Sequence, residues 1–90
     1  MYLHLGQSVV VPEATIIGIF DLDNTTGSHI TRQFLGGAER AGRVASVSEE
    51  LPKSFIVCDE TGGGKPRMTV YLSQLTSLTL MKRSEAMRFD

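Results

Sequence analysis

Residues 54–73 read SFIVCDETGGGKPRMTVYLS and set the architecture of the chain. Ser54 to Cys58 is a strand built on the apolar run Phe55-Ile56-Val57, and Met68 to Leu72 is a second one rich in β-branched and aromatic side chains. Between them, Asp59 to Pro66 carries three consecutive glycines, which suits a flexible hairpin tip and turns the second strand back along the first. Cys58 is the single cysteine, so no internal disulfide exists. Inside an apolar run a reduced thiol acts as a small core hydrophobe, which suits a reducing cytoplasm.

Working outward, Leu3 and Leu5 alternate with Tyr2 and His4, Gly6 supplies a position tolerant of positive φ, and Val9-Val10-Val11 resumes, so an N-terminal β-hairpin is expected. His4 has no second ligand at metal spacing. The N-terminus has no basic leader segment, and its apolar run is too short for a signal peptide or a membrane span. Pro12-Glu13 interrupts the pattern before Thr15 to Phe20, whose nearly continuous apolar character predicts a strand buried on both faces.

Asp21 to Ser28 reads as a polar loop. Ile30, Phe34, Leu35, Ala38 and Ala41 then recur at helical spacing, with Thr26 or Ser28 as the cap and Gly42 just past the end. Gly36-Gly37 weakens this helix by about 1 kcal/mol per glycine, and it leaves room for another backbone to approach. Val44, Ser46 and Val47 form a short extended piece. A last helix runs from about Ser77 to Met87, capped by Thr76 or Ser77, with Leu80, Ser84 and Met87 along one line and Lys82, Arg83 and Arg88 near its end. This order predicts an α+β fold, a small mostly antiparallel sheet with two helices, as a single domain over residues 1–90.

Composition narrows the function classes. Ninety residues with 41% hydrophobic content and a net charge of -1 exclude disordered and disulfide-scaffold classes. A domain this size buries only about 60–65% of its unfolded surface, so covering apolar surface with another copy of itself would stabilise it. Split at Pro52, the first part has three arginines against six carboxylates and the rest six cations against four carboxylates. The excess of cations in the second part centres on Lys53, Lys65 and Arg67, the candidate nucleic-acid-binding residues, which would position phosphate rather than read bases.

Two motifs suggest phosphate chemistry. Asp21-Leu22-Asp23-Asn24-Thr25 after a strand matches the DxDxT pattern of haloacid dehalogenase-type phosphotransferases, with Ser46 or Ser48, Lys53 and Asp59-Glu60 as nominal partners. The segment from Ser48 to Lys53 is too short for the parallel crossover such a site demands. Gly62-Gly63-Gly64-Lys65 lacks the spacing and the following helix of a phosphate loop, because Pro66 and a strand come next. No metal, cofactor or catalytic residue is assigned.

Met1-Tyr2-Leu3-His4-Leu5-Gly6, Ile16 through Asp21, and the ending Tyr71-Leu72-Ser73 through Leu75, Ser77, Thr79-Leu80 and Lys82-Arg83 together resemble the RemA/RemB-like family of small bacterial extracellular-matrix regulators, its RemB branch above its RemA branch. The resemblance implies a bacterial, cytoplasmic, non-enzymatic α+β protein that assembles into rings or stacked dimers. In the RemA branch it implies promoter DNA of biofilm-matrix operons bound through arginines repeated around the ring, a role in transcription regulation. Paired arginines of that branch fall here near Glu50-Leu51, with Lys53 matching a basic residue before the strand. Another arginine falls near Thr15, and Arg83 matches a basic residue of the terminal helix. The expected partners are therefore other copies of the chain, DNA, or another regulatory protein that meets the acidic Glu49-Glu50 loop, with no membrane involved.

Overall fold

The computed structural model describes residues 1–22 and 29–88, with side chains through Ser84. The expected caps Thr26 and Ser28, Asp23 to Thr25 of the DxDxT match, and the side chains of Met87 and Arg88 lie outside the described residues. In chain order the elements are β1 (Tyr2–Gly6), β2 (Val9–Pro12), a short 3-10 turn (Glu13–Thr15), β3 (Ile16–Asp21), α1 (His29–Arg40), β4 (Val44–Ser46), β5 (Ser54–Asp59), β6 (Met68–Ser73) and α2 (Ser77–Arg88). The α+β reading with a mostly antiparallel sheet is correct. A four-stranded sheet has the order β3-β5-β6-β4, with β4 parallel to β6 and the other pairs antiparallel, beside a separate β1-β2 hairpin.

The alternation read in β1 is the alternation buried: Leu3 and Leu5 are fully buried while Tyr2 and His4 are exposed. Gly6 adopts a φ of 126° that side chains resist, and its bare Cα receives the Gln74 amide. One face of the sheet carries Ile56, Cys58 and Ile19 and meets this hairpin together with Leu80 of α2. Two buried hydroxyls tie the layers at one end. Ser73 Oγ donates to the Leu5 carbonyl at 2.5 Å and accepts from the Leu75 N–H, and Ser54 Oγ donates to the Leu75 carbonyl at 2.7 Å.

The opposite face carries Phe55, Val57 and Val70 and meets α1 through Leu35 and Ala38. Gly42 ends α1 at φ 71°, with Gly42 N–H donating to the Glu39 carbonyl and Arg43 N–H to the Ala38 carbonyl, the paired bonds of a Schellman stop. Within the described residues no backbone seats on Gly36-Gly37, where an added Cβ would face only the Arg40 guanidinium.

Burial of β3 on both faces is not what the structure shows. β3 is an edge strand, with Ile17 60% and Phe20 41% exposed. A helix about 10 Å across cannot cover four strands whose outer axes stand about 14 Å apart. The side left open is the one nearest β3. There Phe20 lies over Gly18 and stacks on Phe55, ring centroids 5.0 Å apart.

Candidate nucleic-acid contact surface

The glycine run closes into a tight turn. Gly62 and Lys65 exchange two backbone hydrogen bonds, and Gly63 and Gly64 take φ of 59° and 78°, the paired positive values of a two-residue type I′ turn. The stem is tied as well: Asp59 Oδ1 accepts from both the N–H and the hydroxyl of Thr61, whose Oγ1 accepts from the Arg67 N–H. Lys65 and Arg67 are therefore displayed from a defined backbone rather than from the loose tip expected of three glycines.

Lys53 is not with them. It is exposed just before β5, and six residues of strand at ~3.3 Å each put it about 20 Å from the turn. Instead the fold brings Arg43 there. Because β4 runs parallel to β6, the Arg43 carbonyl accepts from Val70 N–H just beyond Arg67. Arg43 belongs to the half of the sequence with excess acid, so a linear charge count hides it.

Beside these cations sits a carboxylate already engaged. Glu60 Oε1 accepts from Thr69 Oγ1 at 2.6 Å and Oε2 from the Tyr71 hydroxyl at 2.7 Å. These two bonds hold the Glu60 carboxyl below its ordinary range, and the Arg67 charge lowers it further. Burial first, then Glu60, pushes Tyr71 up to about 12. Arg67 thus spends part of its field on Glu60, whereas Lys65 stands further out on the turn. Cys58, on the same face, is fully buried, and burial pushes its thiol up, as a core hydrophobe requires.

The Glu49-Glu50 loop occupies a different place. Ser48 Oγ accepts from Glu50 N–H at 3.0 Å, and the two acids border an open polar concavity of about 540 Å³ with Gln7, Ser8, Ser46 and Ser48.

Of the partners nominated for the DxDxT match, Lys53 neighbours Asp21 through its carbonyl, which accepts the Leu22 N–H, and the others do not gather there. Asp21 Oδ1 accepts the Ser77 N–H at 3.1 Å at the start of α2, where Thr76 also caps through the Thr79 N–H. Asp21 faces Ser54 across antiparallel strands, so Asp59 lies five residues, or about 17 Å, away at the other end, and Ser46 is on the opposite sheet edge. No group of three or more metal-ligating side chains occurs among the described residues. No described helix is long and apolar enough to cross a membrane. Arg83 reaches the His4 carbonyl at 3.4 Å from α2 and so ties helix to hairpin.

These features define a small α+β domain whose described ionisable groups brace the fold or stand on its surface. No protein-family model matches the chain. It is 34% identical over 87 residues, covering 97% of this chain and 94% of the relative, to extracellular matrix regulatory protein B of Bacillus subtilis strain 168. The chain belongs to the family of that regulator, in agreement with the resemblance its sequence carries.

Proposed function

We propose that this chain is a non-enzymatic regulator of extracellular-matrix production that acts as an oligomer, a ring or stacked dimers, and holds DNA weakly through basic residues repeated from copy to copy. The observation that carries this reading is the placement of Arg43, Lys65 and Arg67 at one end of the sheet on hydrogen-bonded backbone. Lys53 supplies a second contact at the other end. One copy offers too few cations for firm phosphate binding. Linked copies raise the effective concentration of the next contact and multiply the affinity.

The test is electrophoretic retardation of duplex DNA over a salt series. Retardation is expected to weaken steeply with salt and to fall in Lys65→Glu and in Lys53→Glu. Absent or salt-insensitive retardation refutes the DNA reading. It favours a second one, supported by the acidic concavity at Glu49-Glu50: an adaptor that meets a basic partner protein and never touches DNA.

A further inference from the structure

Several of the large apolar side chains exposed among the described residues gather around one strand. Ile17 and Phe20 stand on β3, and Ile30 and Phe34 face them from α1 across a groove of about 360 Å³ floored by Phe55 and Val57. On the other side of the sheet Met81 of α2 borders a concavity with Ile16 and Ile19. Leu78, one helical turn before Met81, is also exposed.

Between the two apolar flanks runs the edge of β3 that no described strand pairs. Leu22 N–H donates to the Lys53 carbonyl, so the alternation of an antiparallel pair turns the backbone N–H and C=O of Phe20 and Gly18 toward β5 and those of Ile19 toward the open edge. The irregularity between Ile16 and Gly18 re-aims Ile17 onto the α1 side of that edge. An open edge flanked by large apolar residues is what natural sheets avoid unless something covers it.

We propose that a second copy of this chain covers it, β3 pairing antiparallel with β3 of its partner about a twofold axis near Ile19. This rests on the oligomeric reading above and names the contact of its dimeric unit, since a twofold contact closes at two copies. Three observations point to a copy rather than a different partner. The groove on the α1 side is lined without charge, so on that flank identical surfaces meet without repulsion, while Glu13 borders the concavity on the other flank. The flanks on both faces adjoin the same edge, so one twofold contact buries both sets at once.

The area is the third. The exposed fractions are 60% for Ile17, 41% for Phe20, 76% for Ile30, 41% for Phe34, 61% for Leu78 and 49% for Met81. At roughly 200 Å² for a whole large side chain these amount to roughly 650 Å² per copy, close to the ~800 Å² each partner contributes to a stable interface.

The experiment is light-scattering mass on the purified full chain at micromolar concentration, for the wild type, Ile17→Lys, Ile30→Glu and a control, Leu51→Glu, at a residue 85% exposed and away from β3. Circular dichroism checks folding, and amide exchange of Ile19 in the wild type gives a readout that needs no variant. The expected result is a wild-type and control mass of at least two copies, a fall to the 9.8 kDa of one copy in both β3-flank variants, and a protected Ile19 amide in the wild type. An assembled wild type whose mass survives both substitutions, or whose Ile19 amide exchanges freely, overturns the β3 contact and leaves assembly standing. A wild type that stays at 9.8 kDa overturns the contact and the oligomeric reading together.

Discussion

Gly18→Ala is a one-methyl change whose cost comes from a single neighbour. A Cβ at Gly18 would lie 2.6 Å from two ring carbons of Phe20, about 1 Å inside carbon contact distance. The backbone there is extended, so alanine itself fits the strand and gains roughly 0.5–1 kcal/mol over glycine. The ring must move. Displacing it loses the stack on Phe55, worth about 0.5–1.5 kcal/mol. Some of the 59% of Phe20 now shielded also returns to water, up to roughly 120 Å² and ~3 kcal/mol at 25 cal/mol per Å². Partial displacement gives an expected net loss of about 1–3 kcal/mol.

The assay is urea unfolding followed by circular dichroism at one fixed protein concentration, since the chain has no tryptophan. In a Phe20→Ala background the same Gly18→Ala change should be neutral or slightly stabilising, because nothing remains to clash. The coupling in this double-mutant cycle is the decisive quantity. An equal loss in both backgrounds would refute the account of Gly18 as space for the Phe20 ring.

Asp21→Ala should cost about 1 kcal/mol through the lost acceptor at the start of α2, and Asp21→Asn less because an amide oxygen still accepts; equal losses in thermal melts would contradict the capping role. For Glu60 the folded carboxyl sits below its ordinary 4.5, so the stability it adds is present above that pH and is lost as pH falls through the folded value. Tyr71 has the opposite sign. Its pKa rises from 10.0 to about 12, so stability is retained below pH 10 and lost as pH climbs toward 12. Denaturant midpoints across both windows should show these two declines, and Glu60→Gln should remove the acid one and lessen the alkaline one, which burial of Tyr71 still sustains; unchanged slopes would contradict the Glu60–Tyr71 assignment.

Local chemistry was readable before any fold was known. Alternation placed Leu3 and Leu5 inside, Gly42 marked the end of α1, Thr76 marked the start of α2, and Cys58 read as core. Each of these depends on neighbours within a few positions, so a linear chain displays them. The glycine run signalled a hairpin, but only paired positive φ values at Gly63 and Gly64 made it a tight platform for Lys65.

What the chain alone decided is the period of each segment, the residues that stop it, and the family resemblance carried by their order. What the tertiary structure alone decided is which segments become neighbours. Strand order put apolar β3 at an edge, parallel pairing carried Arg43 to Lys65 and Arg67 and left Lys53 behind, and Asp21 found the start of a helix 56 residues away. The physical reason is that periodicity records which face of a segment is buried. The partner on that face is chosen by the summed burial and hydrogen bonding of distant segments, which no short window contains.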